Sequence, residues 1–257
     1  MLNIVINLDR SPERLEKTKK EFEKWGLTFE RLAATDGRLM TQDEVDARKQ
    51  PYAERRYFLK ELTRGEIGCF MSHYRAWEKL LESDQDWAFI CEDDLVFFSD
   101  PRYYLGSTDW IPQGVQLIQL ARPSIENVKV KRRKYVHTLS NGARLMVLHQ
   151  GINGGCIGYM MHREAAQKFV AIAKTHIPAP SDDLLFSFAS PLRRDVTPWS
   201  LSPAVVGTDD NGISDVGGEK GKVKTRFWQG PAQYIERKWI NLKNKWIVYS
   251  SCEEDYR

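Results

Sequence analysis

The chain has little that would tie it to a membrane, a zinc knuckle or a disulfide scaffold. No apolar run approaches the roughly 20 residues that a spanning helix requires. The opening Met1-Leu2-Asn3-Ile4-Val5-Ile6-Asn7 carries no basic leader, and is expected to be the first core strand. Cysteines number four, at Cys69, Cys91, Cys156 and Cys252, far apart and without a Cys-x-x-Cys pair. That usage excludes a disulfide framework and points to a reducing cytoplasm. The formal charge of +3 is too small to argue for nucleic acid, although positive charge gathers at Lys131-Arg132-Arg133-Lys134 and between Glu219 and Arg226. No internal repeat or low-complexity tract is present.

What is present describes an ordinary globular α/β chain. Hydrophobic residues make up 42% and charged residues 28%, too apolar for a disordered polymer. The 257 residues suffice for one domain with a full core. One domain over 1–257 is expected, with residues 1–125 as one half and 126–257 as the other. Leu2 to Leu8 reads as a strand. Ser11-Pro12 supplies an N-cap and a first-turn proline for a helix carrying Leu15, Phe22 and Trp25, and Gly26 should close it. Thr28 to Ala33 reads as a second strand, and Met40 to Lys60 as a short helix with an irregular connection around Pro51.

Gly65 to Glu82 is expected to be a helix with Ile67, Phe70, Tyr74, Trp77 and Leu81 along its apolar stripe. Trp87 to Cys91, Val115 to Leu120, Arg144 to Leu148 and Cys156 to Met161 have strand character, Arg163 to Lys174 helical character, and Asn211 to Lys224 that of a loop. Alternating elements argue for a sheet with helices on its faces.

Directly after the Trp87 to Cys91 run stand Glu92-Asp93-Asp94. Strand alternation would put Glu92 and Asp94 on one side, where the pair can converge on a hard cation such as Mn2+ or Mg2+; acids at a strand end also simply cap turns. The strand-to-helix junction Asn7-Leu8-Asp9-Arg10-Ser11-Pro12-Glu13-Arg14 offers amides and basic side chains to a nucleotide, or only a helix cap. Asp36-Gly37, after the second strand, can meet a base or ribose, or be an ordinary turn. Glu66, Cys69 and His73 share one edge of the Gly65 helix, as a metal site or as a polar cluster that orients the helix.

Taken in order, Val5-Ile6-Asn7-Leu8-Asp9-Arg10 with Glu13-Arg14, Ala34-Thr35-Asp36-Gly37, Leu62-Thr63-Arg64-Gly65-Glu66-Ile67-Gly68-Cys69 with Ser72-His73, and Glu92-Asp93-Asp94 resemble glycosyltransferase family 25, of the lipooligosaccharide galactosyltransferase type. A looser match continues through Gly154-Gly155-Cys156-Ile157-Gly158-Tyr159 and Pro180-Ser181-Asp182, covering roughly the first 190 residues. The resemblance implies a GT-A-like, Rossmann-type α/β fold with a mixed, mostly parallel central sheet, a nucleotide-sugar donor and inversion at the anomeric carbon. It also implies a divalent cation on the acidic motif. Asp94 is then expected as the direct metal ligand, with Glu92 in support and Asp93 as third member. Asn7, Asp9, Arg10, Arg14, Asp36, His73, Gly154 and Gly155 are expected at the nucleotide sugar. Asp182 or Asp183, at the start of a Leu184 to Phe188 helix, is expected as the base. Cys91, where the family usually has an aliphatic residue, is a departure.

The expected reaction is hexose transfer from a UDP-sugar, UDP-galactose by resemblance, to a lipopolysaccharide or lipooligosaccharide acceptor. A non-catalytic carbohydrate- or nucleotide-binding protein of the same fold is the competing reading. Toward the C-terminus Ile235, Trp239, Leu242 and Trp246 form a stripe beside Arg237, Lys238, Lys243 and Lys245. It either packs on the core or rests on an anionic membrane at the inner face of the inner membrane.

Overall fold

The computed structural model describes residues 1–51, 61–121, 136–148, 155–187 and 190–208. In chain order its elements are β1 (Leu2–Asn7), α1 (Pro12–Glu23), β2 (Glu30–Ala33), α2 (Gln42–Arg48), α3 (Arg64–Glu82), β3 (Trp87–Glu92), β4 (Leu95–Phe97), α4 (Arg102–Leu105), β5 (Leu117–Gln119), β6 (Val136–Thr138), β7 (Arg144–Val147), β8 (Gly158–His162), α5 (Arg163–Ala173), α6 (Ser181–Phe186), β9 (Pro198–Ser202) and β10 (Val206–Thr208).

Eight strands form one sheet in the order β2-β1-β3-β8-β5-β9-β7-β6, and β4 pairs with β10 beside it. β1 is parallel to both β2 and β3, whereas β8 enters antiparallel between β3 and β5. β9 follows parallel to β5, and β7 is antiparallel to β9 and to β6. Only β8 and β7 therefore run against the common direction, so the expected α/β class with a mixed, mostly parallel sheet holds. The sheet contains strands from both sides of residue 126.

Strand alternation sorts the core onto two faces. Ile4, Ile6, Ala88, Ile90, Tyr159 and Met161 face one way, against Ile67, Phe70, Trp77 and Leu80 of α3 and Phe169 of α5. Val5, Phe89, Cys91, Met160 and Ile118 face the other, with Phe22 of α1. The α3 stripe is as expected except that Leu80 is fully buried and Leu81 only partly. Its start is fixed by a capping box, in which the Thr63 hydroxyl accepts from the Glu66 amide and Glu66 returns the bond to the Thr63 amide.

Several local expectations change. Ser11 sits at the N-cap of α1 but makes no side-chain cap. Gly26, at φ +67°, does close that helix, with the Leu27 amide donating to the Phe22 carbonyl and the Gly26 amide to Glu23. The strands expected from Thr28, Val115 and Cys156 are shorter, and β4, β6, β9, β10 and α4 were not foreseen. At three to five residues each, these elements are too short to show a period. The Asn211 to Lys224 segment, the Ile235 to Trp246 stripe and the Lys131 to Lys134 cluster lie outside the described residues. Among the described residues no helix is long and apolar enough to cross a membrane.

Candidate active site

The C-terminal ends of the parallel strands β1, β2 and β3 and the first turns of α3 form the walls of an open cleft. Such crevices beyond strand ends are where open α/β sheets take their ligands. Arg10, Arg14, Asp36, His73 and all of Glu92, Asp93 and Asp94 line it.

The acidic triplet does not continue as a strand. β3 stops at Glu92, and the chain turns through Asp93 and Asp94 before β4, so simple alternation does not set the three directions. Asp93 points inward. Its carboxylate accepts from Asn7 Nδ2 at 2.7 Å and pairs with Arg14 Nη2 at 2.7 Å, while its carbonyl accepts from Thr18 Oγ1 at 2.8 Å. Asp93 therefore ties β1 and α1 to the end of β3, a structural task that leaves it poorly placed to be a third metal ligand. Asp94 is different. Its Oδ2 lies 3.2 Å from Arg14 Nη2, but Oδ1 is buried with no hydrogen-bond partner. Burial, then the neighbouring Glu92, push its carboxyl up to about 6, against the pull of Arg14. A buried acceptor without a donor, beside two further carboxylates, fits a divalent cation held by oxygen ligands.

Glu92 reaches the cleft from the last position of β3, and His73 Nε2 lies 3.4 Å from its Oε1. The histidine is almost wholly buried, with Nδ1 3.0 Å from the Tyr159 hydroxyl, which also accepts from Trp77 Nε1 at 2.9 Å. Cys69, one turn before His73, also lines the cleft. Its thiol is pushed up to about 12 by burial and by the charge of Glu92. Glu66, expected on the same helix edge, is instead spent in the capping box, so the cluster is completed by Glu92.

The opposite wall is the loop after β2. The Thr35 amide donates to Ser72 Oγ at 2.9 Å, and the Ser72 hydroxyl donates to the Gly68 carbonyl at 2.7 Å. Two glycines permit this seating. A Cβ on Gly68 would stand 2.7 Å from both the Thr35 carbonyl oxygen and the Gly37 nitrogen, and one on Gly37 would overlap the Arg64 carbonyl. The loop carries Asp36, which accepts from Arg10 Nε at 2.7 Å and from the Arg38 amide at 2.9 Å. Partial burial opposes ionisation of Asp36, but the Arg38 amide and the Arg10 guanidinium outweigh it and hold the carboxyl below its usual range.

Three of the expected nucleotide contacts, Asn7, Asp9 and Gly155, do not line this cleft. Asn7 is buried and fully occupied: its amide donates to the Ser11 carbonyl and to Asp93, and its oxygen accepts from Arg31 Nε at 2.9 Å. Asp9 pairs with Arg31 on the exposed side. The junction's polar residues thus brace the strand end, and Arg10 and Arg14 are the ones that reach the cleft. Gly155, at φ +65°, forms the turn before β8 outside the cleft lining, and Gly154 lies outside the described residues. Asp182 and Asp183 open α6 and are not lining residues either. Their helix nevertheless meets the cleft wall, because Ser181 Oγ lies 3.6 Å from Cys69 Sγ. Burial and then Asp183 raise the Asp182 carboxyl, with a further contribution from Glu92. Sequence reading missed Arg38 as a lining residue; its only signal is a cation beside the Asp36-Gly37 turn.

The profile of glycosyltransferase family 25 (LPS biosynthesis protein) matches residues 1–185. A glycosyltransferase 25 family member from Drosophila pseudoobscura pseudoobscura is 30% identical over 186 residues, which are 70% of this chain and 29% of that protein. The chain thus spans under a third of that relative's length. The lipooligosaccharide biosynthesis protein lic2B of Haemophilus influenzae is 26% identical over 77% of this chain and 74% of its own. Among solved structures, galactosyltransferase LgtC in complex with donor and acceptor sugar analogues aligns over 93% of this chain and 96% of its own, with 12% identity and a TM-score of 0.40. With the profile spanning the strand ends, the Asp36 loop, α3 and the acidic turn, the chain belongs to glycosyltransferase family 25.

Proposed function

We propose that the protein transfers a hexose, galactose in this reading, from a UDP-sugar to a lipopolysaccharide or lipooligosaccharide acceptor, with a divalent cation and with inversion. The observation that carries this reading is Asp94, a cleft carboxylate with one oxygen buried and unpartnered. Asp94 with Glu92 would hold Mn2+ or Mg2+, which when bound neutralises the charge of a departing diphosphate. The chain's own residues do the rest. Arg14, steadied by Asp93, and Arg10, steadied by Asp36, present positive charge toward the phosphates. Asp36, kept ionised, can accept hydrogen bonds from a ribose or base.

Inversion requires a group that takes the acceptor's proton as its oxygen attacks. Asp182 is the better candidate: it follows Ser181, whose hydroxyl lies 3.6 Å from Cys69 at the cleft wall, and burial and then Asp183 raise its carboxyl. The donor sugar and the acceptor class follow the names of relatives: the human procollagen galactosyltransferase 2 is 25% identical over 70% of this chain, and lic2B is a lipooligosaccharide biosynthesis protein. An acceptor of this kind would be met from the cytoplasm, at the inner face of the inner membrane.

The test is a screen of nucleotide sugars for Mn2+- or Mg2+-dependent thermal stabilisation, followed by turnover assays. UDP-galactose should stabilise the wild type only with the cation, and Asp94→Asn should lose that dependence. Full activity of Asp94→Asn in chelator refutes the metal assignment. At saturating donor, Asp182→Asn should lose turnover and keep donor affinity, while Asp183→Asn keeps both; the reverse pattern moves the base to Asp183.

A further inference from the structure

We propose that Cys69, His73 and Glu92 form a second cation site at the cleft wall, selective for Zn2+ and other borderline-soft ions, and overlapping the oxygen site through Glu92. The Cys69 sulfur, a His73 ring nitrogen and a Glu92 carboxylate oxygen all lie within 4.8 Å of one another. Tetrahedral zinc with sulfur, nitrogen and oxygen ligands sets its donors about 3.4 to 3.6 Å apart. His73 Nε2 and Glu92 Oε1, at 3.4 Å, already meet that separation. The separations from the Cys69 sulfur are no larger than 4.8 Å, and ion binding would have to draw it in.

The surroundings are those of a built site. His73 is locked by burial and by the Tyr159 hydroxyl on Nδ1; that oxygen, which accepts from Trp77 Nε1, has a second lone pair for Nδ1–H. In that tautomer the Nε2 lone pair faces Glu92 Oε1 at 3.4 Å, two acceptors that an ion between them would satisfy, with Tyr159 and Trp77 as the outer support that ligating histidines commonly have. Cys69 and His73 stand four residues apart on α3, a rigid element, and Glu92 ends a central strand. The two donor sets differ in chemistry. Glu92 with Asp94 offers oxygen alone and suits hard ions, whereas thiolate, imidazole and carboxylate together favour zinc, cobalt or nickel over magnesium. On binding, the Cys69 thiol proton leaves to solvent and the sulfur donates its electron pair to the ion, with no change of oxidation state.

Cobalt(II) is the probe, because a thiolate ligand gives it an intense charge-transfer absorption in the near ultraviolet that oxygen ligands do not. Metal-free full-length protein titrated with Co2+ should develop this band at one equivalent, and Zn2+ should abolish it. Cys69→Ala should remove the band and weaken Zn2+ binding at least tenfold in competition with a chromogenic chelator; His73→Ala should weaken it comparably. Cys69→Ser, which keeps size and polarity, guards against a folding defect and should also lack the band. A wild type without the band, or a band that survives Cys69→Ala through Cys91, Cys156 or Cys252, overturns the site. The overlap rests on the proposed Glu92 and Asp94 reading and is tested separately, by release of bound Mn2+ on adding Zn2+. If Mn2+ does not bind at all, that reading fails while the cobalt titration still decides the zinc site.

Discussion

Replacing Gly68 with alanine tests how the Asp36 loop is held against α3. The added Cβ would stand 2.7 Å from the Thr35 carbonyl oxygen, 2.7 Å from the Gly37 nitrogen and 3.0 Å from the Gly37 Cα, where ordinary contact begins at 3.4 Å. All three are backbone atoms, so no side chain can swing aside, and the loop must retreat by about 0.7 Å. Overpacking of this kind costs about 1 to 3 kcal/mol, which for a chain of this size lowers the melting temperature by about 4 to 8 °C at the middle of that range. Retreat also stretches the Thr35 amide bond to Ser72 and displaces Asp36 with its Arg10 partner.

Binding of UDP, the nucleotide of the proposed donor, measured by calorimetry, should therefore weaken about tenfold, which corresponds to roughly 1.4 kcal/mol. Gly26→Ala is the matched control. That glycine has φ +67° and no atom within 4 Å of a Cβ, so alanine there meets only backbone strain of about 1 to 2 kcal/mol, away from the cleft. It should melt lower and bind UDP like the wild type. A Gly68→Ala protein that binds UDP with unchanged affinity refutes the argument that the close approach sets the pocket.

Arg14→Leu removes the guanidinium that pairs with buried Asp93 and should cost about 3 kcal/mol in urea unfolding, because a largely buried pair is broken on one side. Tyr159→Phe deprives Trp77 Nε1 and His73 Nδ1 of their shared partner; a loss of about 1 to 3 kcal/mol in the same assay is expected. Asp94 gives a pH signature. Its folded pKa, raised to about 6 from 3.8, means that the native state holds a proton the unfolded chain has released. This contribution is full below about pH 4 and lost as pH rises through 6, on the order of 2 kcal/mol after allowance for partial exposure. Metal-free wild type should show that decline relative to Asp94→Asn, and parallel pH profiles would contradict the burial of Asp94.

The long periodic elements were legible in the sequence because burial imposes their pattern: α3 by its apolar stripe, β1 and β3 by continuous apolar runs, α5 by its helical spacing. The cleft was legible through the order of its motifs, and Arg10, Arg14, Asp36, His73 and the acidic triplet all came to it. What could not be read were roles that depend on a partner distant in the chain. Asn7 and Asp93 meet across 86 positions, and Glu92 joins Cys69 and His73 only because β3 returns beside α3. Ser11 at a helix start looks like a cap and makes none, since an N-cap preference says nothing of how the preceding turn aims the hydroxyl. The short strands β6, β9 and β10 carry too few residues for any period to declare itself.

The reversed strand β8 has a consequence for when the cleft comes into being during folding. It supplies Tyr159, which fixes His73, yet it pairs with β3 only after some 70 residues of intervening chain, joining Trp87 to His162 and Cys91 to Gly158. β1 likewise meets β3 across about 86 residues. Pairings of such long sequence separation are slow to close. The first 100 residues already contain most of the lining side chains, but without β8 the wall behind His73 is missing. A chain still emerging from the ribosome would thus hold the motif residues without the pocket, which would be complete only once the centre of the sheet has been filled.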